Sequence, residues 1–290
     1  MQPSLNSNYK IPLYKLLNNT DYSGIYNIEL NNIILNGNYY SQTEKQLYQV
    51  DRLIEDNKYT QALFIVDEMI TRNSNIAQCY YLKSKIHYFE KDFQGALKSI
   101  NLAIELKKSS PDYLKHRIEI NGVLNEFDKA IVDINKLIRL EPYQIDHYIV
   151  KANLLFKTKQ FDKAIELTNS ILEILPEDPD VLYLSSKTYF MKDEYLEALK
   201  TINEALQKKS DKAFYELRGD IYSATKTYIY AVQDYSMFLD IEPYNGNIYS
   251  KKGLARLRLG DKKGACSDWE KGKRYGSYEA VNYLEKYCKQ

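Results

Sequence analysis

The sequence predicts an all-α fold in which helix hairpins stack on one another along the chain. Alanines recur at an almost constant spacing, which is typical of repeat architectures. Between the alanines, apolar residues fall on stripes with helical spacing. Eleven glycines and seven prolines among 290 residues are few for the turns of a sandwich or a doubly wound sheet. These three observations favour repeated helix pairs over a sheet-based fold.

Seven alanines set the length of the repeat. They step by 34 residues, with one step of 33, and each of the first six follows an aromatic residue by three positions. The alanines are Ala62, Ala96, Ala130, Ala164, Ala198, Ala231 and Ala265, and the aromatic residues are Tyr59, Phe93, Phe127, Phe161, Tyr195 and Tyr228. We expect a small side chain where the two helices of a hairpin cross closely, because a larger one would push them apart.

Each period divides into two predicted helices. In the fourth period, residues 145–158 and 161–174 each carry apolar residues at helical spacing, with a polar break between them. Pro176 follows the second stretch and is expected to stop the helix, as Pro142 and Pro243 do in other periods. A hairpin of this size cannot bury its apolar face alone, so neighbouring hairpins must stack on it.

This pattern resembles the tetratricopeptide repeat (TPR) family, which places aromatic residues at repeat positions 4 and 11, a small residue at 8, alanine at 20 and proline at 32. The match covers residues 43–277 as seven repeats. Position 4 holds Tyr80, Tyr148, Tyr215 and Tyr249, and position 8 holds Ser84, Ala152, Ser186, Gly219 and Gly253. Val50 and Ile118 replace the small residue in the first and third repeats. The resemblance implies a right-handed α-solenoid of about seven TPR helix hairpins.

The two ends of the chain depart from the repeat. Residues 1–42 carry nine asparagines, and we expect either a degenerate hairpin that caps the solenoid or a flexible arm that docks a partner. Residues 278–290 are predicted to form a C-terminal capping helix. Its expected apolar stripe is Tyr278, Val281, Leu284 and Cys288. The preceding segment, GDKKGACSDWEKGKRYG, resembles the last repeat of bacterial TPR proteins.

The bulk composition limits the classes of function. A net charge of +1 argues against a chain whose main role is to coat nucleic acid. Cys79, Cys266 and Cys288 are widely spaced and odd in number, which favours unpaired thiols in a reducing compartment. The first residues lack the pattern of a signal peptide, and no stretch of eighteen apolar residues is present. We therefore predict a cytoplasmic protein with no membrane span, while a removed signal stays open.

No pattern in the sequence predicts catalysis. The three histidines, His87, His116 and His147, occupy different phases of different repeats, so they are not expected to converge on a metal ion. The sequence contains no glycine-rich phosphate loop, and Cys79 lies eight residues from His87, which is too far for a nucleophile to contact its base. We predict a non-catalytic chain with no metal, no cofactor and no catalytic residues.

The TPR resemblance also implies a binding surface. In that family, the first helix of each repeat lines a concave groove through positions 2, 5, 9, 12 and 13. We expect this groove to bind a peptide or helix of a protein partner, with aromatic anchors and with lysines that meet the carboxylates of the partner. The predicted residues are Tyr81, Lys85, Tyr88, Phe89, Lys115, Asn153, Phe156, Tyr183, Lys187, Phe190 and Met191. The lysine and asparagine pattern of TPR domains that grip chaperone tails is absent.

Two other interpretations stay open at this point. The C-terminal repeat is basic, and it could bind nucleic acid or an acidic protein. Its positive residues are Lys251, Lys252, Arg256, Arg258, Lys262, Lys263, Lys271, Lys273 and Arg274. Alternatively, the chain could be a structural subunit of a larger assembly that uses its convex face. The sequence names neither the partner nor an oligomeric state.

Overall fold

The computed structural model describes residues 42–288, and within them it contains fifteen α-helices, a terminal π-helix and no β-strand. The chain divides into two compact units, Met1–Thr158 and Lys159–Gln290. Each unit is described by itself. The capping hairpin or flexible arm expected over residues 1–42 lies outside the described residues, apart from Gln42, which begins the first helix.

The first unit contains seven of the described helices. They are α1 Gln42–Glu55, α2 Tyr59–Arg72, α3 Ala77–Phe89, α4 Phe93–Leu106, α5 Pro111–Val123, α6 Phe127–Leu140 and α7 Ile145–Lys157. The first six pair as three hairpins, α1–α2, α3–α4 and α5–α6, and each hairpin packs on the next. The first helices of successive hairpins therefore lie near each other, as α1 and α3 do.

The second unit contains the remaining helices. They are α8 Phe161–Leu172, α9 Pro179–Met191, α10 Tyr195–Lys208, α11 Lys212–Ala224, α12 Tyr228–Ile241, α13 Gly246–Arg258, α14 Lys262–Arg274 and α15 Tyr278–Tyr283, followed by the π-helix Leu284–Cys288. Three hairpins, α9–α10, α11–α12 and α13–α14, stack in order, and α15 with the π-helix packs against α14. The two helices of the fourth repeat, α7 and α8, fall in different units.

The alanine period marks the place where the two helices of a hairpin touch. All seven alanines are fully buried, and the six aromatic residues that precede them each begin the second helix of their repeat. Inside two hairpins, the Ser84 and Ser186 hydroxyls donate to the Ala96 and Ala198 carbonyls at 2.8 and 2.7 Å. At Gly253, a Cβ atom would come within 2.5 Å of the Trp269 ring. The expected small residue is thus present at the alanine position of every repeat, and at the facing position in the repeats that hold Ser84, Ser186 and Gly253.

The turn between the two helices has the same backbone in every repeat. One residue per turn adopts the left-handed conformation, with φ between 58° and 86°, and the series keeps the 34-residue period with one step of 33. These residues are Asn57, Lys91, Asn125, Lys159, Asp193, Lys226 and Gly260. The turn after α3 shows the hydrogen bonds of a Schellman motif, from the Asp92 amide to the His87 carbonyl at 2.8 Å and from the Lys91 amide to the Tyr88 carbonyl.

Two arginines tie neighbouring hairpins together. Arg117 of α5 donates to both carboxylate oxygens of Asp133 in α6 at 2.7 Å and to Asn101 of the preceding hairpin at 2.8 Å. Arg218 of α11 repeats the arrangement in the second unit, with Asp234 of α12 at 2.9 and 2.7 Å and Asn203 of α10 at 2.8 Å. Each arginine therefore links its own second helix to the second helix of the repeat before it. Bidentate pairs of this kind fix geometry as well as charge.

The C-terminal cap differs from its prediction at two places. Tyr278 is 78% exposed, because the face that turns towards α14 begins at Ala280 and continues to Leu284, and both of these are buried. Cys266 of α14 and Cys288 of the π-helix form a disulfide. The prediction of unpaired cysteines was therefore wrong for this pair, because packing of the cap on α14 brings together two residues that are 22 positions apart. Cys79 is a free, buried thiol.

Candidate functional site

A cleft of about 310 Å³ opens in the first unit along the helices α3 and α5. We call it the α3–α5 cleft. It is lined by Tyr81, Lys85, Tyr88, Phe89, Asp112, Lys115, His116 and Glu119. Five of the predicted groove residues, Tyr81, Lys85, Tyr88, Phe89 and Lys115, are thus brought together from two successive first helices. The sequence predicts no role for His116, because the three histidines occupy different phases of different repeats.

Aromatic rings build the apolar part of the α3–α5 cleft. The Tyr81 ring stacks on the Tyr113 ring with their centroids 4.9 Å apart. The edges of Tyr81 and Tyr88 meet the His116 ring at 5.7 and 5.5 Å. Phe89, at the end of α3, is 48% exposed. These rings hold one another in place, so the wall of the cleft exists before any ligand arrives.

The charged groups of the α3–α5 cleft are already partly paired. The Lys85 ammonium lies 3.6 Å from Asp51 of α1, and the Lys115 ammonium lies 3.1 Å from Glu141, which follows α6. Burial alone would raise the pKa of the Glu141 carboxyl, but the hydrogen bonds from His147 and Lys115 lower this pKa below its usual value. The two predicted lysines therefore already meet carboxylates of their own chain.

The acidic side of the cleft surrounds the Tyr81 hydroxyl. Burial, together with the smaller effect of the carboxylates of Asp112, Glu119 and Asp51, raises the pKa of Tyr81 to about 12. Asp112 is exposed, and no ion pair reaches it from the part of the chain that the structure describes. The Glu119 carboxylate lies 3.4 Å from His116 Nδ1. The local charge around this hydroxyl is therefore negative.

The second unit carries four predicted groove residues on α9. Tyr183 stacks on Phe214 of α11 with the centroids 4.9 Å apart, and the Lys187 ammonium lies 5.8 Å from the centre of the Tyr183 ring. Phe190 packs against Tyr195 at 6.0 Å, and Met191 is half exposed. The arrangement of Tyr183, Lys187 and Phe214 repeats that of Tyr81, Lys85 and Tyr113, where the lysine lies 5.7 Å from the ring centre.

The last two predicted groove residues lie on α7. Asn153 is exposed, and its side-chain amide donates to the Ile149 carbonyl of the same helix at 3.1 Å. Phe156 is half buried. Neither residue lines the α3–α5 cleft. In the first unit, five of the predicted residues therefore line the cleft, whereas Asn153 and Phe156 lie apart from it.

The basic C-terminal repeat is partly neutralised by its own chain. Lys251 bridges Glu216 and Asp220 at 2.7 and 2.8 Å, and Lys252 and Arg256 both face Asp268. Arg256 and Lys252 are therefore not free positive charges. The exposed remainder is Arg258, Lys262, Lys263, Lys271, Lys273 and Arg274.

The histidines lie beside three different carboxylates, Asp92, Glu119 and Glu141. Among residues 42–288, no group of three or more His, Cys, Asp or Glu side chains is arranged to hold a metal ion. No helix in the same range is both long and apolar enough to cross a membrane.

Comparisons with known proteins agree with this architecture. Residues 123–205 match the family model of subunit 3 of the anaphase-promoting complex, or cyclosome. The search of curated proteins found no match. A TPR protein from Parabacteroides merdae ATCC 43184 has a similar structure, with 19% identity, coverage of 85% of this chain and 98% of that one, and a TM-score of 0.67.

Two further solved structures resemble the chain. The Cut9–Hcn1 hetero-tetramer of the APC/C gives 14% identity and a TM-score of 0.61, over 96% of this chain and 54% of that one. YrrB, described as a TPR protein with an unusual peptide-binding site, gives 14% identity and a TM-score of 0.51. The match covers 66% of this chain and 100% of that one. The predicted all-α fold of repeated helix hairpins is confirmed, and the chain has the fold of the tetratricopeptide-repeat proteins that it resembles.

Proposed function

We propose that the chain is a non-catalytic scaffold that binds a peptide or helix of a protein partner against the first helices of its hairpins. The α3–α5 cleft carries this proposal, because it combines the exposed Phe89 ring and two half-buried tyrosine rings with charged groups. Aromatic side chains supply contact area at a small cost in conformational entropy and are enriched at the centres of interfaces. YrrB, which shares the fold, is described as having a peptide-binding site, and this supports the same class of ligand here.

The proposed mechanism is binding to a preformed surface. Tyr81 and Tyr183 are each held by a stack on the next repeat, so their positions are set before a partner arrives. A receptor that is ordered in advance loses little conformational entropy on binding, and more of the contact energy contributes to affinity. The partner, by contrast, could be disordered when free and order on the surface.

Partner capture by the full chain tests the proposal. The chain carrying both Tyr81→Ala and Tyr183→Ala should recover less of a cross-linked partner, identified by mass spectrometry, than the wild type does. Tyr244→Ala is the matched control, because Tyr244 is highly exposed and lies outside both groups of predicted residues. Circular dichroism verifies the helix content of each variant. Equal capture by all three proteins would contradict the assignment to these helices.

The two alternative functions predict different results in the same assay. Nucleic-acid binding through the C-terminal repeat should weaken steeply with added salt and should require Lys271, Lys273 and Arg274, which are exposed. A structural subunit should be captured together with its complex, and that capture should be insensitive to both tyrosine changes. Either pattern would replace the peptide-binding proposal.

The cellular location stays a prediction. The sequence predicts a cytoplasmic protein, partly because unpaired cysteines are typical of a reducing compartment. The Cys266–Cys288 disulfide removes that support, because disulfides persist mainly in oxidising compartments. Mass spectrometry of the pair, after alkylation of intact cells, would show whether the thiols are joined where the protein works.

A further inference from the structure

We propose that the α3–α5 cleft recognises a positively charged side chain, preferably arginine, in the bound segment. This inference rests on the proposed function and names the chemistry of the partner. It reverses the expectation from the sequence, in which lysines of the groove meet carboxylates of the partner. Three features of the cleft support it, namely the balance of charge, an unpaired buried nitrogen and the aromatic wall.

The balance of charge around the cleft is negative. Lys85 and Lys115 each face a carboxylate that lies outside the lining, Asp51 at 3.6 Å and Glu141 at 3.1 Å. This pairing leaves the two carboxylates of the lining, Asp112 and Glu119, without a lysine or arginine among the described residues. A carboxylate of the ligand would have to displace Asp51 or Glu141 from its lysine. A cation of the ligand meets Asp112 and Glu119, which have no lysine or arginine beside them. Charge complementarity of this kind selects partners.

His116 provides an independent indication. Its ring lines the cleft and is only 7% exposed, and its Nδ1 atom lies 3.4 Å from the Glu119 carboxylate. An ionised carboxylate only accepts hydrogen bonds, so the proton of the neutral imidazole belongs on Nδ1 and Nε2 is left as an acceptor. Nε2 is buried and has no hydrogen-bond partner among the described residues. A buried acceptor of this kind calls for an N–H donor, which a guanidinium or an ammonium supplies.

The aromatic wall favours arginine over lysine. Tyr81, Tyr88 and Phe89 line the cleft beside the carboxylates of Asp112 and Glu119, which no lysine or arginine pairs among the described residues. A guanidinium can stack on an aromatic ring while its N–H groups point in one plane towards separate acceptors. The Asp112 and Glu119 carboxylates are such acceptors on the lining. His116 Nε2 has almost no accessible surface, so a guanidinium reaches it only if the surrounding rings move. An ammonium offers its donors from a single point and stacks less well, so lysine should bind more weakly.

The volume of the cleft limits the ligand to a side chain and its immediate neighbours. About 310 Å³ lies at the lower end of the range for ligand pockets. A whole folded domain could not enter it, but one long side chain from an extended or helical segment could. The cleft is therefore the position of a specificity contact within a longer interface.

Fluorescence anisotropy with the full chain tests the inference. The probes are four fluorescein-labelled peptides of equal length and apolar content, which carry arginine, lysine, glutamine or glutamate at the same positions. We expect the arginine peptide to bind most tightly, the lysine peptide next, and the glutamate peptide least. Asp112→Asn with Glu119→Gln should weaken binding of the arginine peptide roughly fivefold to tenfold, since each exposed charge pair contributes a modest amount.

A matched control separates the cleft from the general charge of the chain. Glu173→Gln with Asp240→Asn removes the same two charges from exposed positions in the second unit and should leave the affinity unchanged. Equal loss in both double variants would overturn the inference. A second test leaves the lining intact. Glu141→Gln frees the Lys115 ammonium and should also weaken binding of the arginine peptide.

The remaining outcomes distinguish this inference from the proposed function. Preferential binding of the glutamate peptide, lost on Phe89→Ala, would overturn the inference and leave peptide binding in place. Binding of no peptide at any charge would also overturn it, while the capture assay with Tyr81 and Tyr183 variants would still decide the proposed function separately. Circular dichroism and thermal unfolding of each variant verify that the fold is retained.

Discussion

The Tyr81 ring stacks on the Tyr113 ring with the centroids 4.9 Å apart, and this contact joins the first helices of two successive repeats. Tyr183 and Phe214 form the same contact in the second unit, also at 4.9 Å. The sequence predicts each tyrosine as an aromatic anchor for a partner. Because one face of its ring is already used within the chain, each also contributes to stability.

A double-mutant cycle on this stack is the first prediction. Tyr81→Ala and Tyr113→Ala should each lower the free energy of unfolding, and their coupling should be about 1 kcal/mol, since stacked aromatic pairs add roughly that much beyond buried area. Urea unfolding followed by circular dichroism gives the four values. A cycle of Tyr81→Ala with Tyr48→Ala is the control, because Tyr48 is exposed and forms no described contact with Tyr81. Equal coupling in both cycles would refute the stack as a stabilising contact.

The second prediction concerns the arginine that links hairpins in the second unit. Asp234 is only 4% exposed at its side chain and Arg218 is 23% exposed. Arg218→Met would leave a buried carboxylate without its counterion, and we expect a loss of about 3 kcal/mol in unfolding free energy. Arg72→Met, which removes an exposed pair with Glu68, should cost less than about 1 kcal/mol. Similar losses in the two variants would show that burial does not decide the effect.

The third prediction compares two glycines that have open space around them. A Cβ at Gly260 or at Gly122 would meet no atom within 4 Å, so steric clash is absent at both. Gly260 has φ +86°, whereas Gly122 lies inside α5. Gly260→Ala should lower stability by about 1 kcal/mol, because the left-handed backbone is unfavourable for a side chain. Gly122→Ala should raise it by roughly 0.5–1 kcal/mol. Thermal unfolding measures both, and the same sign at both sites would contradict the argument.

The repeat could be predicted from the sequence because every hairpin packs in the same way and therefore needs the same residue types at the same spacing. In each of the six repeats that carry the aromatic residue before the alanine, the second helix begins at that aromatic residue. Every alanine of the period is buried. The tyrosine stack had a readable signal too, since Tyr113 follows Tyr81 by 32 residues and Phe214 follows Tyr183 by 31. The left-handed turn residues had a weaker signal, because Asn, Asp or Gly, which tolerate this conformation, occupy four of the seven positions and Lys occupies the other three.

The charge of the cleft could not be read from the sequence. Lys115 and Glu141 are 26 residues apart, and Lys85 and Asp51 are 34 apart, so their pairing depends on how successive hairpins pack. The family pattern places the lysines on the binding face but says nothing about which carboxylates reach them. The proposed sign of the partner's charge rests on those distances and on the lining of the cleft.

The fourth prediction concerns the three cysteines. Burial raises the pKa of the Cys79 thiol to about 11, and Cys266 and Cys288 are joined. The native, unreduced protein should therefore show no thiol that reacts with Ellman's reagent at pH 8. One thiol should react after unfolding in guanidinium chloride, and three after unfolding with prior reduction. A native count of two would show that the disulfide is absent.

The same disulfide should stabilise the C-terminal cap. It closes a loop of 22 residues, and Cys266→Ser with Cys288→Ser should destabilise the cap by about 3 kcal/mol on the chain-entropy model. The single tryptophan, Trp269, reports on the cap because it packs against Tyr283 and Tyr287 at 5.1 and 5.7 Å. Its fluorescence should change at lower denaturant concentration in the variant. Dithiothreitol should shift the wild type in the same direction and leave the variant unchanged.

The last prediction is a dependence of stability on pH at Glu141. Although burial opposes it, the hydrogen bonds from His147 and Lys115 lower the pKa of this carboxyl in the folded state. A group with a lowered folded pKa stabilises the fold fully above its unfolded pKa, and this contribution is lost as the pH falls through the folded value. The wild type should therefore exceed Glu141→Gln in stability at pH 6, and the difference should shrink as the pH drops below about 4. Glu173→Gln, at an exposed position without a described ion pair, should show no such trend. A stability difference between the wild type and Glu141→Gln that grows as the pH falls would contradict the lowered pKa of Glu141.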